Sequence, residues 1–237
     1  MKSGIEMGAG MEQQEKNEIR LELPEKVRQI IEQIQKHGFE AYAVGGCVRD
    51  SLLGRTPDDW DITTSAKPQE VKAIFPRTID TGIEHGTVTV MMGKEGFEVT
   101  TYRIDGAYLD GRHPESVEFS SNLVEDLKRR DFTINAMAYN EQQGLVDVFE
   151  GIEDMQRKVI RCVGNPKERF GEDALRMMRA IRFSAQLGFE IEEETLKEEN
   201  LIVKQEKKDN KGIYAIAGVA AIVVIGGVIA IVKSKKK

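Results

Sequence analysis

The stretch from Phe39 to Thr64 constrains the fold more than any other. It reads as a short apolar strand (FEAYAV), a Gly45-Gly46 pair, a short helix (VRDSLL) closed by Gly54, and a β-branched strand (WDITT). Paired glycines let a backbone turn sharply and approach a ligand closely. A glycine just past a helix is a common terminator, because it takes the left-handed conformation without strain.

The pattern extends both ways. Upstream, Pro24 opens a helix with Val27, Ile30, Ile31 and Ile34 on one face, ended by Gly38. Downstream, KPQEVKAIF is a helix with Pro68 early. GTVTVMM (86–92) and FEVTTYR (97–103) form a hairpin across GKEG, and SVEFSS, TINAMAYN and LVDVF add short strands. Residues 164–200 read as wholly helical. Mixed elements of this kind imply an α+β domain with a mixed, largely antiparallel sheet.

Composition narrows the class. The 237 residues can bury a real core. A net charge of −6 argues against a generic nucleic-acid binder, although from Arg157 to Arg182 eight Lys/Arg face three Asp/Glu. Cys47 and Cys162 are far apart, which fits no disulfide framework or zinc pattern and reads as two reduced intracellular thiols. The polar leader 1–20 lacks a signal-peptide core. A head (21–163) and a helical neck (164–200) follow. A charged linker (201–212) then leads to residues 213–232, which carry no charge over 20 positions. That length matches a bilayer's hydrocarbon core, so the segment reads as a transmembrane helix rather than a buried core helix. Four lysines on each side leave its orientation undecided. If it inserts, the head faces the cytoplasm.

Several residues are able to do chemistry. In GGCVRD a helix starts just after the glycines, and its free N–H groups favour a phosphate, with Arg49 one turn in. Alone, the pair is equally an ordinary tight turn. In DDWDITT, strand period two puts Asp59 and Asp61 on one face and Trp60 on the other. Such a pair can share hard divalent cations with phosphate oxygens, or be an acidic strand end. The order favours metal chemistry: a Gly-Gly turn with Arg grips a triphosphate, and the next strand's Asp-x-Asp positions the metals that bridge it. Glu98, in the strand FEVTT, is a candidate third carboxylate.

Two later stretches add recognition. In KRRDFTINA, arginines that could hold phosphate precede Asp131 and Asn135, which could fix ribose hydroxyls or the loop. In EDALRMMRAIRF, Asp173, Arg176, Arg179 and Arg182 share a helical arc, while Leu175, Met178, Ile181 and Ala185 form a face that can pack. Asp accepts and Arg donates in a plane, so Asp173 with Arg176 can mimic a Watson–Crick edge. Cytosine and adenine both offer an amino donor beside a ring-nitrogen acceptor. The alternative is a solvated, salt-bridged helix face. His113 sits in a Gly-rich segment that reads as a mobile loop, and His85 reads as structural.

The ordered set GGCVRD…DWD, HGTVTV, EVTTYR, RRDFTINAMAYN and EDALRMMRAIRF resembles the class II branch of the nucleotidyltransferase superfamily over roughly residues 21–197. That branch contains tRNA nucleotidyltransferases (CCA-adding enzymes) and bacterial poly(A) polymerases. The resemblance implies a polymerase beta-like nucleotidyltransferase head. It implies two Mg²⁺ ions on Asp59 and Asp61, and Gly46, Arg49 and Arg130 on the triphosphate. It also implies Asp131 and Asn135 in ribose selection, Asp173 and Arg176 pairing with the base, and Arg179 and Arg182 as neighbouring contacts. CTP, ATP and a tRNA 3′ end are the implied partners, and no protein partner is implied. The family continues through helical body and tail domains, where this sequence has a charged linker and an apolar segment. Poly(A) addition and a membrane-tethered, impaired nucleotide-binding module stay open as alternatives.

Overall fold

Helix α1 (Glu25–Lys36) begins where Pro24 fixes the entering φ and ends before Gly38, at φ +86°. Its Val27, Ile30, Ile31 and Ile34 are at most 3% exposed. In this computed structural model the described residues are 19–106, 108 and 115–197. The chain divides into two units between Glu192 and Glu193, and everything below belongs to the first. The apolar segment 213–232 and His113 lie outside the described residues. Among those residues no helix is long and apolar enough to cross a membrane.

The centre is a seven-stranded mixed sheet in the order β3-β4-β5-β2-β1-β8-β9. Its strands are β1 (Ala41–Val44), β2 (Ile62–Thr64), β3 (Thr78–Gly82), β4 (Thr87–Met92), β5 (Glu95–Thr101), β8 (Ala138–Asn140) and β9 (Gly144–Val146). Only β2 and β5 pair in parallel; every other neighbour is antiparallel. Helix α2 (Gly46–Leu52) crosses between β1 and β2, and α3 (Pro68–Ile74) follows β2. A two-stranded ribbon, β6 (Arg103–Asp105) with β7 (Val117–Phe119), leads to α4 (Leu123–Lys128). Tyr42, Val44, Tyr102, Leu127, Ala136 and Ala138 are buried together beneath α4 and β8.

Helices α5 (Gly151–Arg157), α6 (Pro166–Glu172) and α7 (Leu175–Leu187) complete the unit with strands β10 (Val159–Ile160) and β11 (Glu190–Ile191). Here the wholly helical reading of 164–200 fails. The chain breaks at Asp173–Ala174, and Gly188 at φ +70° ends α7. The next residues pair in parallel with β10, Val159 against Glu190 and Ile160 against Ile191. A hydrogen bond from Glu190 N to Lys158 O and one from Glu192 N to Ile160 O extend that pairing.

Other expectations shift too. WDITT shortens to Ile62–Thr64, because pairing with β5 begins only at Ile62. The β4–β5 hairpin turns on Gly93-Lys94 alone, with Met92 opposite Glu95. TINAMAYN splits into a 3₁₀ turn (Thr133–Asn135) and β8. The apolar face assigned to α7 is open: Leu175 is 46%, Met178 60% and Ile181 52% exposed. Its packed face holds Arg176, Ala180 and Phe183. That inversion follows from Phe183, which buries more apolar area than any of the three and stands edge-on to Phe132 at 6.0 Å.

Candidate active site

The first strand and helix meet at Gly45, which takes φ +83°. A Cβ there would stand 2.9 Å from Arg130 Nη1, the movable tip of a long side chain, so it is the backbone conformation that favours glycine here. At Gly46 a Cβ would meet Arg49 Nη2 at 3.7 Å, an ordinary contact. The sequence reading placed the ligand contact at Gly46 and missed Gly45's close approach to Arg130.

Around this turn lies one cavity of about 670 Å³. Asp59, Asp61, Gly46, Arg49, Arg130, Asp131, Asn135, Asp173, Arg176, Arg179 and Arg182 all line it. Residues more than a hundred positions apart are brought together because α2, the 3₁₀ turn and α7 pack at one end of the sheet.

On the sheet side stand the carboxylates. Asp61, just before β2, and Glu98, on the neighbouring β5, line a common cavity and are close enough for their charges to interact. Burial pushes the Asp61 carboxyl up, the Arg130 guanidinium pulls it down, and Glu98 and Asp59 add to the rise. Neither Asp59 nor Asp61 makes a side-chain hydrogen bond or ion pair among the described residues. Strand alternation does not set their directions, because both lie in the loop before β2, outside the strand itself.

The opposite wall is cationic and closely tied. Arg49 is buried and donates to Asp50 through Nε (3.0 Å) and Nη2 (2.8 Å) and to Asn135 Oδ1 through Nη1 (2.6 Å). Asn135 Nδ2 donates to Asp131 Oδ1 at 3.1 Å, and Asp131 Oδ2 accepts from Arg179 Nε at 2.7 Å. This makes one continuous chain, Asp50–Arg49–Asn135–Asp131–Arg179. The Phe183 ring then faces three guanidinium groups, those of Arg49, Arg179 and Arg182, at 4.9, 5.2 and 5.0 Å. Each such contact contributes about 0.5–2 kcal/mol.

Below them Asp126, fully buried, accepts from Arg129 Nε and Nη2 and from Thr63 Oγ1, and pairs with Arg130 at 3.4 Å. Burial alone would raise its pKa, but Arg129 and Arg130 hold the carboxyl below the usual range. Asp126, Asp50 and Phe183 were missed in the sequence. The i,i+3 and i,i+4 spacing of Asp126 to the two arginines was the available signal. Arg130 Nε is buried with no hydrogen-bond partner among the described residues, while the side chain as a whole lines the cavity.

The proposed base readers are arranged differently from the expectation. Asp173 precedes the helix in an extended conformation, and its Oδ1 accepts from Leu175 N at 2.8 Å. Arg176 is buried, with Nη1 donating to Glu172 Oε2 (2.6 Å) and Arg169 O (3.1 Å), and Nη2 to Arg129 O (3.0 Å). The two therefore flank the start of α7 without sharing a helical arc. Cys47 also lines the cavity, and burial pushes its thiol up to about 11, far from a nucleophile's range.

The donor set fits magnesium. Mg²⁺ takes one or two carboxylates and completes its shell with phosphate oxygens and water. Among the described residues no three His, Cys, Asp or Glu side chains are close enough to hold an ion without such help.

Known proteins resemble this one closely. CCA-adding enzymes of Lactobacillus delbrueckii and Enterococcus faecalis are 57% and 58% identical over 166 and 167 residues, 70% of this chain in each case. The chain spans about two-fifths of their length, 42% and 41%. The solved Bacillus stearothermophilus CCA-adding enzyme in complex with CTP superposes with a TM-score of 0.65 at 51% identity, over 70% of this chain and 40% of that one. A tRNA nucleotidyltransferase complexed with a primer tRNA and an incoming ATP analog gives 0.61 at 34% identity, over 75% of this chain and 50% of that one. The family model described as "Poly A polymerase head domain" matches residues 41–161, just over half of the sequence. The chain belongs to the poly A polymerase head domain family.

Proposed function

We propose that this chain carries the catalytic centre of a template-independent nucleotidyltransferase, which transfers CMP and AMP from CTP and ATP to the 3′ end of tRNA. The observation that supports it most is the convergence of the Asp59–Asp61 pair and the arginine wall on one cavity. The relatives named above are CCA-adding enzymes, which favours C-C-A addition over other polymer ends.

The residues divide the work. Asp59 and Asp61, with Glu98 beside them, would hold two Mg²⁺ ions, which supply Lewis-acid activation of the hydroxyl and neutralise the leaving pyrophosphate. Arg130 and Arg182, which line the same cavity, would meet the triphosphate. Arg49 acts by holding Asn135, and Asn135 with Asp131 orients the ribose. Base reading would fall to Asp173 and to Arg176, whose three bonds to protein occupy only three of its five N–H donors. The tRNA hydroxyl's oxygen forms the new bond to the α-phosphorus, the bond to the pyrophosphate oxygen breaks, and the hydroxyl proton passes to solvent.

The full chain, Mg²⁺ and tRNA lacking its terminal CCA, offered each labelled nucleoside triphosphate singly and in pairs, test this. Incorporation of C followed by a single A is the expected result. Repeated A addition would favour poly(A) polymerase, which the family description also covers. Mg²⁺-dependent nucleotide binding without incorporation would favour a nucleotide-binding module.

A further inference from the structure

The carboxylate loop is a ridge between cavities. Asp58, Asp59 and Asp61 line the arginine-walled cavity on one side. On the other they line a cavity of about 900 Å³ that also takes in Trp60, Phe97 and Glu98. Trp60 continues into a third, of about 430 Å³, which holds Arg20 and Arg55. An in-line displacement sets the attacking and leaving oxygens on opposite sides of the phosphorus. Arginines line the first cavity, and among the described residues none lines the second. The leaving pyrophosphate therefore belongs in the first, and the attacking hydroxyl must come from the second.

We propose that the second and third cavities form the seat of the RNA acceptor end. This rests on the nucleotidyl-transfer reading above. The terminal base lies against Trp60 and Phe97, both half-buried and both lining the second cavity. Every base has a π face, so such stacking tolerates an end that changes identity at each addition. The second cavity is too acidic for phosphates: Glu95 and Glu98 join the aspartates, and its Lys26 is already paired with Glu95 at 2.5 Å. The backbone must leave it over Trp60, and on the far side Arg55 and Arg20 meet the preceding phosphates.

Trp60 is the chain's single tryptophan, so its emission reports this surface alone. The full chain is titrated with a short oligoribonucleotide ending in a free 3′ hydroxyl, with binding followed separately by anisotropy of a 5′-labelled copy. The expected result is saturable quenching of Trp60 that tracks the anisotropy, with little quenching by CTP. Trp60→Ala should weaken RNA binding roughly 5- to 150-fold, the weight of one stacked base, with Trp60→Phe recovering much of it. Arg55→Ala should lower the salt dependence, the slope of log K against log salt, by about 0.7. RNA binding with unchanged Trp60 emission, or no RNA binding by a chain that binds Mg²⁺–CTP, would overturn the acceptor seat while leaving the nucleotide site standing. Quenching by RNA in a chain that binds no CTP would support the seat and sink the nucleotide reading instead.

Discussion

On the helical wall of the cavity Arg49, Asn135, Asp131 and Arg179 form a continuous hydrogen-bonded chain. On the sheet wall Asp59 and Asp61 make no such bond among the described residues. The first wall is tied together by its own hydrogen bonds, whereas on the second only the nearby Arg130 charge offsets Asp61. Donors fixed in advance need no reorganisation when charge develops on a substrate. Clustered carboxylates repel each other until a cation arrives, so that wall gives up local stability for a binding site.

The most direct way to break this contrast is the double substitution Asp59→Ala, Asp61→Ala. Nucleotide transfer is expected to fall on the order of 1,000-fold or more, since metal-assisted charge stabilisation amounts to several kcal/mol. The thermal midpoint should hold or rise as repulsion is relieved. Full activity in the double variant would end the metal assignment. On the other wall, Asp126→Ala removes the shared partner of two partly buried guanidinium groups and should cost about 3 kcal/mol in denaturant unfolding. Its lowered pKa sets the sign with pH. The contribution is complete above the ordinary aspartate value of about 3.9 and is lost as pH falls through the folded-state value below it. Asp126→Asn should flatten that acid limb of the stability curve.

A smaller change sharpens the role of the tied arginines. Arg176→Ala is expected to reduce rejection of UTP relative to CTP by about 10- to 100-fold, read as a ratio of kcat/KM values. Sharp discrimination retained in that variant would assign base reading elsewhere. Smallest of all, Met178→Gln on the open face of α7 should shift stability by no more than about 0.5 kcal/mol. Ile30→Ala on the buried face of α1 should cost about 2–5 kcal/mol.

The residues that converge here were readable in the sequence because motif spacing survives without knowing the fold. Helix α1 was equally readable, with its proline start, glycine stop and four aliphatic residues on one stripe. The supporting shell was not. Asp126 and Glu172 look like ordinary surface ion pairs by spacing, and only burial turns them into anchors. Periodicity chose the wrong face of α7, because three open aliphatic side chains scored as core while one phenylalanine decided the packing. The strand β3, edge-placed with mostly exposed residues, had no apolar alternation to reveal it.

The parallel β10–β11 pair has a consequence for anyone building chimeras. Two backbone bonds past the end of α7 stitch that helix to the strand after α5. A cut just before residue 190 would keep every cavity-lining side chain and still free the arginine helix from its anchor. Swapped between relatives, the smallest interchangeable cassette should therefore run through Glu192, carrying its own clasp with it.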